Sequence, residues 1–300
     1  MLHRFDEFLS QGGAESDTEV VGFLTRYMLS DTKALSFEGM SFGCSTLSVK
    51  NEEGNFLFGR NFDWNTCEAM IVSVVPESGY ASISTVNTDF ISMSGLNMSD
   101  LPSSIQAIIC LYAPLDGMNE KGLAVSVNMI QDSATISQNT DKPDITTTTA
   151  IRLLLDKAAN VEEAIDLLEQ YDMHASMGYM MHLALADTEG RSVVVEYVNH
   201  EMIVTDTPVV TNFYLAEGEK NGIGTAQSHE RYDILMKALS EKEMMNIEDV
   251  RDALDSVSKD NFGEFESTEW SIVWNQSTGE AIYYHRENYE KPYIFQIEQR

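Results

Sequence analysis

The chain predicts an α+β layered domain, and three observations carry that expectation. Strand-like runs come in blocks, helical periodicities come in pairs between the blocks, and short turn sequences join neighbouring strands as hairpins. A doubly wound parallel sheet would alternate strand and helix one by one, which this chain does not do.

The elements follow in order. Ser16 followed by Glu19 has the pattern of a capping box, and Val20, Val21, Phe23, Leu24, Tyr27 and Met28 continue it as an amphipathic helix. The chain then loosens toward Gly39-Met40-Ser41-Phe42-Gly43. Strands are expected over residues 44–50, 56–61, 70–75 and 80–87. Asn51-Glu52-Glu53-Gly54-Asn55 supplies turn chemistry between the first two. Another hairpin is expected at Asn119-Glu120-Lys121-Gly122, with residues 123–130 as its second strand. The apolar run 105–115 reads as buried core. Helices are expected at 146–159 and 161–171, with Asn160 between them as a cap. Strands return at 178–186, 192–198, 202–205 and 209–214. Helices over 228–239 and 246–256 precede closing strands at 270–275, 281–285 and 293–299. Three hundred residues allow one large core or two modest ones, and no repeat or low-complexity tract divides them.

Charge and composition narrow the function classes. A net charge of −29, with no basic cluster, excludes a phosphate-binding surface of the usual kind, so no nucleic-acid partner is expected. The acidic stretch 241–260 reads as a solvated helix face. Cys44, Cys67 and Cys110 are too few for a disulfide framework, and neither they nor the six scattered histidines have metal-ligand spacing. No apolar run is long enough to span a bilayer. The first seven residues lack an apolar signal core, which leaves open a cytoplasmic enzyme or an exported one whose signal is missing from this chain. Cys67 reads as loop or core, Cys110 as packing, and Met177, Met180 and Met181 as core filler or the lining of an apolar pocket.

Cys44 is the residue that carries chemistry. Gly43 before it leaves its carbonyl unshielded, and Cys44 opens a strand. A thiol beside its own freed α-amine, whose reference pKa is about 8, would hold nucleophile and base in one residue. On chemistry alone a small buried hydrophobe is the competing reading.

From Gly43 to Trp64 the chain resembles the choloylglycine hydrolase family of N-terminal-nucleophile enzymes, the linear amide C–N hydrolases. The matching residues are Cys44-Ser45-Thr46 and Gly59-Arg60-Asn61-Phe62-Asp63-Trp64. Arg60 and Asp63 follow Cys44 by sixteen and nineteen residues, as the family's arginine and aspartate follow its nucleophile. Asp116-Gly117-Met118-Asn119-Glu120-Lys121-Gly122-Leu123 resembles the turn before the strand with an oxyanion-hole asparagine, here Asn128. Val209-Val210-Thr211-Asn212 resembles the segment of the second catalytic asparagine, Asn212; Ser228-His229-Glu230-Arg231-Tyr232 gives Arg231; and Thr268-Glu269-Trp270-Ser271 resembles a late strand.

The resemblance implies a four-layer αββα sandwich of two antiparallel sheets between helix layers. It implies a helical propeptide, residues 1–43, removed by autocleavage at Gly43–Cys44, and a catalytic domain at 44–300. It implies a small-molecule linear amide as substrate, with no metal or organic cofactor. Asp63 would orient the new amine, Arg60 would lower the thiol pKa, Asn128 and Asn212 would meet the oxyanion, and Arg231 would balance charge or orient the leaving group. Arg60 and Asp63 could instead form a plain ion pair. A bile salt hydrolase or penicillin V acylase proper, an esterase, and an uncut binding homologue stay open. The stretch between Asn212 and Arg231 lacks the excursion that helps bile salt hydrolases form tetramers, so a homo-oligomer is left open too.

Overall fold

The structure, a computed structural model, describes residues 4–26, 43–93, 98–260 and 266–299. The chain opens with two short helices, α1 (Phe5–Ser10) and α2 (Asp17–Thr25). Ser16 caps α2 by accepting the Glu19 amide, while the Glu19 carboxylate reaches back to the Glu15 amide at 3.0 Å. Tyr27, Met28 and the stretch up to Phe42 lie outside the described residues.

Next come β1 (Gly43–Lys50), β2 (Phe56–Trp64), β3 (Ala69–Val74), β4 (Ser82–Asn87), the helices α3 (Thr88–Met93) and α4 (Ser103–Leu111), then β5 (Asp116–Asn119) and β6 (Ala124–Met129). The middle holds β7 (Asp144–Thr146), α5 (Thr147–Lys157), α6 (Val161–Leu168) and β8 (Asp172–His174). The rest is β9 (Met181–Ala186), β10 (Ser192–Val198), β11 (Glu201–Asp206), β12 (Val209–Val210), α7 (Ala226–Glu241), α8 (Ile247–Asp255), β13 (Ser267–Asn275), β14 (Glu280–His285) and β15 (Tyr293–Gln296).

Two large antiparallel sheets form the centre, one in the order β12-β1-β2-β13-β14-β15, the other β11-β10-β9-β6-β5-β4-β3. They face each other, with β1 against β6. Helices α7 and α8 cover the outer face of the first sheet, and α5 covers β5 and β6 of the second. The layering is the expected αββα. It explains why β1 is buried at seven successive residues: Leu47 and Val49 pack toward α7 and α8, while Cys44 packs into the layer between the sheets.

Local chemistry accounts for most boundaries. Asn160 and Asn246 cap α6 and α8 by accepting the amides of Glu163 and Asp249. The apolar run 105–115 divides into the end of α4, which buries Ile109 and Cys110, and the chain leading to β5. Strand 209–214 is shorter than its sequence pattern: β12 stops at Val210, because the next bond to β1 comes from a side chain, as described below.

The N-terminal helices are docked, not trailing. Phe5, Phe8, Phe23 and Tyr112 form an aromatic cluster with ring centroids 5.3–6.0 Å apart. Gly12 O accepts the Asp144 amide at 2.9 Å, and the Ala14 amide donates to Asp144 O at 3.1 Å. Gly13 between them, at φ +73°, allows a backbone approach that no other residue permits, since a Cβ there would lie 1.8 Å from Asp144 O.

Candidate active site

The pairing of β1 with β2 organises the site. Gly43 lies opposite Asp63, Cys44 opposite Phe62, and Thr46 opposite Arg60. Alternation then sends Cys44 and Arg60 to the inter-sheet face and Asp63 to the face covered by α7 and α8. The Gly43–Cys44 peptide is therefore attended from both faces.

On the inter-sheet face, Arg60 is the hub. Its Nη2 reaches Cys44 Sγ at 3.6 Å, and Nη1 donates to Asn128 Oδ1 at 3.0 Å, to Val127 O at 3.1 Å and to Ser126 Oγ. Its carboxylate partner is Asp116 of β5, with Nε to Oδ2 at 2.6 Å, and Trp270 Nε1 also donates to that oxygen at 3.1 Å. The alternative of a plain Arg60–Asp63 ion pair is thereby corrected, since the two side chains leave β2 on opposite faces. Asp116 opens the DGMN segment that the sequence marked only as a turn, so its role was not legible there. Burial pushes the Asp116 carboxyl up, and Arg60 pulls it the other way.

The Cys44 thiol is wholly buried, and burial pushes it up to about 11. Arg60 and Arg231 lower it, and Asp63 and Asp116 raise it. Arg60 does pull the thiol down, as expected of its charge, but desolvation outweighs the guanidinium and the thiol stands above its ordinary value.

On the other face, Asp63 Oδ1 accepts from Thr268 Oγ1 at 2.8 Å. Among the described residues Asp63 Oδ2 is buried with no hydrogen-bond donor; Lys259 Nζ stands 3.8 Å away and Arg231 Nη1 3.9 Å away. Gly43 fits beneath them because it has no side chain: a Cβ there would sit 2.7 Å from both Asp63 Oδ2 and Lys259 Nζ. Thr268 and Lys259 are further residues that the motifs did not single out. The first lies in the quoted late strand, the second in the acidic stretch read as solvated.

The asparagines close the edge. The Cys44 amide donates to Asn212 Oδ1 at 2.8 Å, in the position a strand carbonyl would take. Arg231 Nη2 donates to the same oxygen at 2.8 Å, and its Nη1 donates to Cys44 O at 2.5 Å and Ser45 Oγ at 2.6 Å. Two donors on Oδ1 fix the orientation of that amide, whose Nδ2 then donates to Met129 O at 2.6 Å. Asn128 Nδ2 has only longer bonds, to Val210 O at 3.4 Å and Thr211 O at 3.3 Å. Both amide donors are thus engaged by main-chain carbonyls.

A buried pair holds the Asn212 segment. His182 on β9 places Nε2 2.9 Å from Thr211 O and Nδ1 2.9 Å from Glu196 Oε1. Glu196 also accepts the amides of Leu215 and Ala216. Scattered in the sequence, these groups have no motif to announce them. Of the residues set aside, Cys110, Met180 and Met181 are core, Cys67 is half-buried in a loop, and Met177 lines an apolar groove under α2.

The model of the linear amide C–N hydrolases, choloylglycine hydrolase family, matches residues 44–213. The chain belongs to that family. Hydrolysis of the carbon–nitrogen bond of linear amides is the activity in that family's description. A penicillin V acylase from Pectobacterium atrosepticum is 28% identical over 99 residues, which is 30% of this chain and 26% of that protein, so the match spans about a quarter of the relative. Two solved structures share the fold. A conjugated bile acid hydrolase from Clostridium perfringens has a TM-score of 0.63 at 18% identity, covering 84% of this chain and 92% of its own. A penicillin V acylase from Agrobacterium tumefaciens has a TM-score of 0.60 at 20% identity, covering 84% and 85%.

Proposed function

We propose that Cys44 is the nucleophile of this hydrolase, freed as a new N-terminus when the chain cuts itself at Gly43–Cys44. The observation that carries this reading is Asp63 Oδ2, a buried carboxylate oxygen with no hydrogen-bond donor among the described residues, across the strand pair from Gly43. An unmet acceptor of this kind is costly in a folded protein. The ammonium that Cys44 gains on cleavage would be its donor, while Asn212 Oδ1 keeps the bond it already has to that nitrogen. The family match begins at Cys44 itself, which agrees with residues 1–43 being a propeptide and 44–300 the catalytic domain.

In the mature form Cys44 attacks a substrate carbonyl, its own amine carries the proton to the leaving amine, and water clears the thioester by the reverse exchange. Arg60 stays beside the sulfur, and Arg231 holds the Cys44 carbonyl and Asn212. Asn128 and Asn212 serve as oxyanion donors, each giving up a carbonyl partner to do so.

The acyl part of the substrate is apolar. Helix α2 lays Val20 and Leu24 on a groove lined by Phe90, Ile109, Tyr112, Leu115 and Met177. Phe90 packs edge-on to Phe62, the cross-strand neighbour of Cys44, so the groove opened by departure of α2 leads toward the sulfur. The deciding experiment is intact mass after incubation of the native chain beside Cys44→Ala. The native chain loses the mass of residues 1–43 and the variant does not; a native chain that hydrolyses amides while staying whole would overturn the mechanism. Phenoxyacetyl, fatty-acyl and bile-acid amides then rank the acyl group.

A further inference from the structure

Lys259 brings a positive charge to the one end of the scissile peptide that the roles above leave unattended. Its side chain is only 10% exposed, and its ammonium lies 2.7 Å from where a Cβ on Gly43 would be. The backbone beneath it is pinned: the Lys259 amide donates to Thr268 Oγ1 and the Thr268 amide to Lys259 O, each at 2.9 Å. Glu266 pairs with the ammonium from the other side. A lysine carried this far out of water, beside Asp63 and Gly43, needs a reason beyond solubility.

The geometry of the peptide supplies one. Among the described residues no peptide bond is cis, and the Cys44 N–H points to Asn212 on the β12 side. The trans peptide therefore turns the Gly43 carbonyl to the opposite side, toward β2, where Asp63 and Lys259 stand. Negative charge growing on that oxygen would meet the repulsion of the Asp63 carboxylate. Arg60 is committed to the sulfur, and Arg231 to the carbonyl one residue on.

We propose that Lys259 acts in maturation: its ammonium stabilises the charge that develops on the Gly43 carbonyl oxygen, and afterwards pairs with the carboxylate that cleavage leaves on Gly43. This rests on the self-cleavage read above. The bond from Cys44 Sγ to the Gly43 carbonyl carbon forms as the carbonyl electron pair moves to oxygen. Collapse of that adduct breaks the bond to the Cys44 nitrogen, which takes the thiol's proton. Water hydrolyses the thioester, restoring the thiol, and the proton released protonates the freed amine, so the products are the Gly43 carboxylate and the Cys44 ammonium.

The test follows precursor loss by intact mass in the native chain, Cys44→Ala, Lys259→Met and Lys259→Arg, with melting temperatures taken alongside. Lys259→Met is expected to mature at least about tenfold more slowly, and Lys259→Arg within about threefold of native, because charge and not shape is what the step uses. Slow maturation of both variants alike would mean a structural lysine and overturn the proposal. So would Lys259→Met maturing at the native rate, and in either case cleavage of the native chain but not of Cys44→Ala leaves the underlying reading standing. A native chain that never cleaves removes both. Should Lys259→Met fail to fold, Glu266→Gln keeps the question answerable: with its counter-charge gone the ammonium is freer to face Gly43, so maturation is at least as fast as native, and a slower variant of native melting temperature overturns the proposal.

Discussion

Arg60 of β2 and Asp116 of β5 meet at 2.6 Å with neither side chain exposed, joining one sheet to the other beside the Cys44 sulfur. A buried pair is weak support for stability as a pair, but removing one partner strands the other charge in a dry site, which typically loses about 3–5 kcal/mol. Asp116→Asn is therefore expected to lower unfolding free energy by about that amount in urea titration. A loss under about 1 kcal/mol would mean that the guanidinium has other sufficient partners.

His182 and Glu196 predict a different pattern. Thr211 O can only accept, so His182 Nε2 donates to it, while Nδ1 meets a carboxylate that also accepts two amides. His182→Leu alone leaves the carboxylate unpaired and should destabilise by about 3–5 kcal/mol. Adding Glu196→Leu should return part of that loss, giving a coupling of at least about 1 kcal/mol in a double-mutant cycle. Additive losses would mean that the two residues act separately.

Such pairs mark the limit of what the sequence carried. The hairpin of β1 and β2 was legible because Asn51–Asn55 is turn chemistry and the flanking residues are strand formers. Cys44, Arg60, Asp63, Asn128, Asn212 and Arg231 do come together around one peptide; it was the family resemblance, with the Arg60 and Asp63 spacings as one part of it, that collected them. What spacing could not say is which face of β2 each residue takes relative to its partners. That decides that Arg60 meets Asp116, and that Asp63 meets Thr268 and Lys259. Nor could it price desolvation, which reverses the expected shift of the Cys44 thiol.

On the proposed self-cleavage, that shift would make maturation depend on pH. With the thiol pushed up to about 11, it is protonated throughout the neutral range, and the thiolate fraction rises with pH until about 11. The first-order rate of self-cleavage should climb about tenfold per pH unit from 7 to 10, with no plateau near the ordinary thiol value of about 8.5. A plateau below 9 would indicate a thiol that is already activated in the uncut chain.

Gly43→Ala probes the same corner sterically. The added methyl would press on Lys259 Nζ, which can swing aside, and on Asp63 Oδ2, which cannot easily do so because Thr268 holds its carboxyl. Maturation should slow at least about tenfold, as a misplacement at a reacting centre does. A Gly43→Ala chain that cuts at the native rate would show that Asp63 yields.

Cleavage alone should not empty the site, because the N-terminal segment is held by much more than the bond to Cys44. Phe5, Phe8 and Phe23 are buried against the domain, Gly12 and Ala14 bridge to Asp144, and Asp17 Oδ2 accepts the Met177 amide at 2.6 Å. Burying three phenylalanines is worth roughly 1.5–3 kcal/mol each, enough to outlast the cut. Asp17 sets the pH trend of this docking. Burial, the larger effect, raises its carboxyl although Met177 and Ser176 pull it down, so the docked state favours the protonated acid. For a raised acid, the stabilisation is fully present below the free value of 3.8 and is lost as pH rises above it. The cut fragment should therefore co-elute with the domain in size-exclusion chromatography, be retained more tightly at pH 4 than at pH 7, and lose that difference in Asp17→Asn. Immediate separation at both pH values would mean that the peptide bond itself had been keeping α1 and α2 in place.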